Sequence, residues 1–352
     1  MPIRELCLHL TRRCNQACLH CYYQSSPNSK GDMALQVAKR LIFESKQAGV
    51  KRVTLQGGEP FLYDGLKELC EISKAEGLIV AIVTNGQLVD QKKIDWLKEL
   101  VDILFVSIHG DDAFHDEFVQ CKGAFKAAIN NARLFINSGI KTGILTSVSK
   151  QNQKYIPEFS KAIDLIGAKY HGILYHSEVG RGSQIKSMDI EEWEVFIDEM
   201  RLIQQSLSYT RLRFETLRQP VSLLHSKKIC NCLGMEKHIC FIDTEGWIYP
   251  CSLGMGNSKI RYGNIEEISL YDYFRGISWE WAFTKSPIAQ SCKSCPLFDV
   301  CKGGCFIRRL MNYKNCCNNA KYIPTCILYP DIDVYEEILA LKGVDNIACP
   351  SN

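Results

Sequence analysis

Between residues 5 and 206 short apolar runs alternate six times with amphipathic stretches, a rhythm that few folds accept. The runs are ELCLHL (5–10), RVTLQ (52–56), LIVAIVT (78–84), ILFVSI (103–108), KTGILTSV (141–148) and KYHGILYH (169–176). They are rich in Val, Ile and Leu, as strands covered on both faces are. Residues 32–48, 64–76, 90–99, 123–138, 152–167 and 189–206 carry helical periodicity. Asp90 and Asp189 suit helix N-caps, and Gly49, Gly77, Gly139 and Gly167 stand where helices end. Six strand–helix units in a row predict an α/β fold around a parallel sheet. Eight would close a full barrel, so the expectation is a partial (β/α)6, TIM-like barrel.

The polar motifs fall on one side of that frame. Cys14, Cys18 and Cys21 follow the first strand, QGGEP (56–60) the second and TNG (84–86) the third. Ser107 and His109 end the fourth, Thr146 and Ser147 the fifth, and His176 the sixth. All are C-terminal strand ends, the face on which α/β barrels build active sites.

The chain of 352 residues has 18 cysteines, unevenly placed. Twelve of them lie from Cys230 onward, which marks a domain boundary near 215–229. The expected organisation is a barrel over 1–215, a linker over 216–228, a cysteine-rich domain over 229–330 and a helical tail over 331–352. The N-terminus lacks the apolar core and cleavage site of a signal peptide, and no apolar run reaches membrane-span length. A cytoplasmic protein is therefore expected, where dense cysteine points to metal rather than disulfides. A net charge of +3 gives no case for nucleic acid.

Thiolates bind zinc or iron–sulfur clusters. The stretch TRRCNQACLHC (11–21) offers three in the spacing C-x3-C-x2-C, one short of the usual four. A four-iron cluster on three thiolates leaves one iron open to a small molecule. This spacing, followed by GGEP after the next strand, resembles the radical S-adenosylmethionine (radical SAM) superfamily over residues 5 to about 206. The resemblance implies that SAM takes the fourth place and that the reduced cluster cleaves it to a 5′-deoxyadenosyl radical. It further implies that Gly57, Gly58 and Glu59 hold the methionine amine, that Asn85 and Ser107 face the ribose, and that His20 lies beside the adenine. Relatives often carry an Arg in a His-Asp-x-x-Arg pattern for the SAM carboxylate. Here His115 and Asp116 are followed by Val119, and Arg181 of EVGRG or Lys122 could substitute.

Simpler roles exist for each feature. His20 could complete a zinc knuckle, and GGEP and TNG could be plain turns. Ser107 could be a strand-end hydroxyl. His109, His115 and His176 suit structural histidines, and Cys7, Cys70 and Cys121 suit core packing.

Residues 292–305 read C-x2-C-x5-C-x3-C. With Cys232, Cys251 and Cys326 around them, they resemble the SPASM domain of many radical SAM enzymes, which binds two auxiliary clusters. The resemblance implies one auxiliary cluster on Cys230, Cys232, Cys251 and Cys305, with Cys240 or an open site as rival to Cys230. The other falls on Cys292, Cys295, Cys301 and Cys326, with Cys316 or Cys317 as replacements for Cys326. The chain would then hold three [4Fe-4S] clusters; a pair of zinc sites is the alternative. EGW (245–247) predicts a β-hairpin turn between FID and WIYP.

Such enzymes mostly act on peptides. The resemblance therefore implies a peptide-modifying oxidoreductase that forms a cross-link or another oxidised product, with a flavodoxin or ferredoxin as electron source. About a dozen residues precede the cluster motif, so a peptide leader would need a separate binder or direct docking. Ser252 stands where sulfatase-maturing relatives carry Asp, against that branch. Rival readings are a small-molecule dehydrogenase acting on a haem precursor or amino sugar, a peptide epimerase, and a non-catalytic iron–sulfur sensor. No residue presents itself as a catalytic base.

Overall fold

The computed structural model describes residues 4–220, 238–276, 279–285, 307 and 322–327. Six parallel strands come first: β1 (Arg4–Thr11), β2 (Val50–Gly57), β3 (Ile79–Thr84), β4 (Ile103–Ser107), β5 (Thr142–Val148) and β6 (Tyr170–Tyr175). Each coincides with an expected run to within two residues. The expected helices are α1 (Leu35–Gln47), α2 (Leu66–Ala75), α3 (Gln91–Leu100), α5 (Ala124–Asn137), α6 (Ile156–Ile166) and α7 (Ile190–Gln204). Asp90 caps α3 through Lys93 N–H, and Asp189 forms a capping box with Glu192 at α7. Gly49, Gly77, Gly139 and Gly167 all have positive φ at helix ends.

Two elements of this region were not foreseen. Helix α4 (Asp112–Val119) spans just over two turns, too short for a clear apolar period. Strand β7 (Arg211–Phe214) pairs parallel with β6 and reads as charged. Seven parallel strands therefore stand where six were expected.

The sheet also extends past β1. Strand β9 (Ile239–Ile242) lies parallel to β1, with Leu6 opposite Cys240 and Cys7 opposite Phe241. It turns at Gly246, φ +81°, into antiparallel β10 (Trp247–Tyr249), which pairs with β11 (Gly263–Asn264). The expected hairpin exists, and it continues the barrel's sheet rather than standing apart from it. The first residues of the expected linker form strand β8 (Thr216–Pro220), antiparallel to β12 (Tyr322–Ile327).

Alternation along β1 sorts its side chains between two layers. Leu6, Leu8 and Leu10 are fully buried in the main core against helices α1 and α2 and the outer residues of the neighbouring strands. Glu5 and Cys7 point the other way, into a cavity of about 360 Å³. Ser107 of β4, Tyr175 of β6, Glu215 just beyond β7 and Phe241 of β9 line the same space. Residues from both ends of the strand order share one interior, so the sheet curls into a partial barrel. Among the described residues no helix is long and apolar enough to cross a membrane.

Candidate active site

The loop after β1 presents Cys14, Cys18 and Cys21 to the mouth of this cavity. It is held in place from several sides. The N–H groups of Gly58 and Glu59 donate to the carbonyls of Thr11 and Arg13 at 2.7 and 2.8 Å. Asp32 accepts from Thr11 Oγ1 at 2.5 Å and from Arg13 Nε at 3.0 Å. From α4, the carbonyls of Phe118 and Val119 accept from Leu19 and Ala17 at 2.8 and 3.2 Å.

This packing explains the paired glycines. A Cβ on Gly58 would stand 2.2 Å from the Arg13 carbonyl oxygen, and one on Gly57, φ +143°, would stand 2.6 Å from that of Thr11. Both approaches are closer than any side chain tolerates. Gly57 and Gly58 line the cavity.

Glu59 is turned inward. It is fully buried and does not line the cavity. Its Oε1 accepts from Thr84 Oγ1 at 2.7 Å and Phe61 N at 3.1 Å, and its Oε2 from Asn85 N at 2.8 Å. Burial pushes its pKa up to about 7, against the three donors that favour the carboxylate. It ties the turn after β2 to the turn after β3. Asn85 is placed by that bond beside the cysteine loop, with Nδ2 donating to Asn15 Oδ1 at 2.7 Å and lying 4.0 Å from Cys14 Sγ. Asn85 and Ser107 both line the cavity.

His20 also lines the cavity, stacked on Phe118 with centroids 4.6 Å apart and rings nearly parallel. His109 meets it edge-on at 4.3 Å. His115 accepts from the His109 N–H at Nδ1, and His176 bonds the Gly182 carbonyl at 3.0 Å. Burial first, then mutual repulsion with His176 and His115, pulls His20 down to about 3. His109 is lowered well below its ordinary value in the same way, so the group is neutral at physiological pH. Nδ1 of His20 and Nε2 of His115 are buried without a hydrogen-bond partner.

Arg181 reaches the cysteine loop from the segment after β6. It lies outside the cavity lining, donating from Nε to the Cys18 carbonyl at 2.9 Å and from its terminal nitrogen to the Ser25 carbonyl at 2.5 Å.

Cys7, expected as packing, has a double character. It packs with Tyr23, Ile239 and Phe241, yet lines the cavity and donates to Glu5 Oε1 at 3.4 Å. Glu5 also accepts from Thr54 Oγ1 at 2.5 Å and pairs with Arg52. A buried carboxylate, guanidinium, hydroxyl and thiol thus form a polar cavity floor that motif reading missed. The signal was the parity of ELCLHL, whose alternate positions Glu5, Cys7 and His9 share the face opposite the leucines. Cys121 is half-buried and touches Gln87, while Cys70 is buried in the core as expected.

Burial pushes the Cys14 thiol up to about 12 and that of Cys18 well above its ordinary value, so a metal must displace their protons. Among the described residues no three His, Cys, Asp or Glu converge as ligands of a single metal ion. Three thiols on one loop, facing a common cavity that two glycines also line, do fit an iron–sulfur cluster with one open iron. Cys240 packs into the main core and Cys251 is buried beside it. Cys230, Cys232, Cys292, Cys295, Cys301, Cys305, Cys316 and Cys317 lie outside the described residues, as does the side chain of Cys326.

Residues 8–163 match the radical SAM superfamily. The chain is 27% identical to the antilisterial bacteriocin subtilosin biosynthesis protein AlbA of Bacillus subtilis (strain 168) over 335 residues, covering 91% of this chain and 72% of that protein. It is 31% identical to pre-heme d1 synthase of Dinoroseobacter shibae over 331 residues, 86% of this chain and 81% of that protein. The crystal structure of Streptococcus suis SuiB bound to precursor peptide SuiA superimposes with a TM-score of 0.71 at 20% identity, covering 88% and 73% of the two chains, a likeness of fold. The cysteine loop and its glycine partner lie inside the matched segment, and with a 31% identical relative along most of both chains, this chain belongs to the radical SAM superfamily.

Proposed function

We propose that the chain is a radical SAM oxidoreductase that modifies a ribosomally made peptide, forming a cross-link or another oxidised product. The observation that carries this reading is the single cavity running from the three thiols of the Cys14–Cys21 loop to the Glu5–Arg52–Thr54 floor. The bound cluster and SAM would supply the organic radical. Cys14, Cys18 and Cys21 would hold the cluster, and Gly57, Gly58, Asn85, Ser107 and His20 would border SAM. The protein's share is to orient these groups and to exclude water.

Two points support a peptide. The subtilosin biosynthesis protein shares 91% of this chain's length, and SuiB, of like fold, is seen with a precursor peptide. A haem-precursor substrate is the second reading, favoured by the 31% identity to pre-heme d1 synthase. Auxiliary clusters on Cys230, Cys232, Cys251 and Cys305, and on Cys292, Cys295, Cys301 and Cys326, would carry the second electron away. A flavodoxin- or ferredoxin-type reductase would supply the first, and the peptide leader would dock directly or through a separate protein.

The test is anaerobic co-expression with candidate peptides encoded beside the gene, partly in heavy water, read by mass spectrometry. Loss of two hydrogens per event supports the reading. One solvent deuterium at carbon without net loss means epimerisation. An unchanged peptide, with clusters intact and a porphyrin precursor consumed instead, overturns it in favour of the second reading.

A further inference from the structure

Arg181 lies 163 positions from Cys18 in sequence and touches the cysteine loop at three points. Its Nε donates to the Cys18 carbonyl, its terminal nitrogen to the Ser25 carbonyl, and its backbone N–H to the Cys21 carbonyl at 3.1 Å. The residues on either side are shaped for that approach. Gly180 has φ +57°, and a Cβ there would stand 2.6 Å from the carbonyl oxygens of Cys21 and Tyr22. A Cβ on Gly182 would stand 2.7 Å from the His176 ring and 3.2 Å from the His20 carbonyl oxygen. Gly180, Arg181 and Gly182 thus form a clamp from the segment after β6, closing over the loop after β1. Val179 and His176 continue from the clamp into the cavity wall.

A planar guanidinium suits this place. Its fork reaches two carbonyls at once. A fixed positive charge beside a cluster stabilises the reduced, more negative state and so raises its potential.

We infer that Arg181 is the positioning residue of the cysteine loop, fixing residues 18–25 on the barrel and raising the reduction potential of the cluster that loop holds. This rests on the radical SAM assignment of the site. The first test needs no cluster. Hydrogen exchange across residues 18–25 of the full chain, prepared without iron, is compared for wild type, Arg181→Lys and Arg181→Gln. Faster exchange in both variants, confined to this loop, is expected, because neither side chain spans two carbonyls. Unchanged exchange overturns the clamp.

The second test is an EPR-monitored redox titration of the iron-reconstituted chain, following the signal that changes when SAM is added. The midpoint should become more negative in Arg181→Gln and return most of the way in Arg181→Lys, which restores charge without the fork. A midpoint unmoved in Arg181→Gln, with SAM affinity reduced in its place, overturns the electrostatic role and returns Arg181 to the SAM carboxylate. Failure of the wild-type chain to show a SAM-responsive signal would count against the site assignment, while hydrogen exchange still decides the clamp.

Discussion

The backbone N–H of Asn85 donates to Oε2 of Glu59 at 2.8 Å, so the turns after β2 and β3 share one buried carboxylate. Through the backbone of Gly58 and Glu59 the same unit holds Thr11 and Arg13 at the root of the cysteine loop. Glu59→Gln keeps the volume but turns an amide NH₂ towards one of three donors. An unsatisfied buried donor costs about 1–3 kcal/mol. Chemical denaturation should show a loss in that range for Glu59→Gln and a larger one for Glu59→Ala. Iron uptake by the loop should fall in both.

Gly58→Ala is expected to be severe, since its Cβ would overlap the Arg13 carbonyl. The barrel core does not pass through this contact, so far-UV circular dichroism should stay near wild type. Absorbance of the reconstituted cluster in the visible range should be largely lost.

The Glu5–Arg52 pair is nearly buried in the cavity floor. Removing one partner of such a pair typically costs about 3–5 kcal/mol, because the other charge is left without compensation. Glu5→Met and Arg52→Met should each destabilise on that scale. The double variant should be less damaged than the sum of the two, which a double-mutant cycle by urea denaturation would read.

Stability should fall with acid from about pH 6.5. His9, His20 and His171 are depressed to about 3 and His115 to about 4, all by burial first. An unfolded chain protonates them near 6.5. Between these limits the unfolded state binds more protons, so stability is full above 6.5 and is lost as pH falls towards 4. Glu59, raised to about 7, acts in the opposite sense between about 4.5 and 7, but it is one group against several. Denaturation midpoints at pH 7.5, 6 and 5 should decrease in that order; a flat profile would contradict the buried, neutral state of the imidazoles.

Cys7 shares the cavity with the three loop cysteines but stands on β1 beside Glu5. Cys7→Ala should therefore retain the iron content of wild type, whereas Cys14→Ala, Cys18→Ala and Cys21→Ala should each lose the loop's share. Iron and sulfide assays on anaerobically reconstituted protein distinguish the two classes.

Much of this architecture was legible because its signals are local. Val- and Ile-rich runs, the caps at Asp90 and Asp189 and the four glycines at helix ends depend on neighbours within a turn or two of chain. Their order then put every polar motif at one end of the sheet, and the cavity lies there. The spacing of Cys14, Cys18 and Cys21 needed nothing beyond the loop itself.

What the tertiary structure alone decided are partnerships across long separations. Cys240 and Leu6 face each other across β9 and β1, and Arg181 reaches Cys18, though no local period links either pair. Glu59 turns inward because Phe61 of its own turn and Thr84 and Asn85 of the next offer it three donors in the same buried spot, a coincidence of two separate segments. Local sequence sets which conformation each segment prefers and which face of it is apolar. Which buried polar group meets which partner is settled only when those faces close on one another, since an unpaired buried group is too costly to keep.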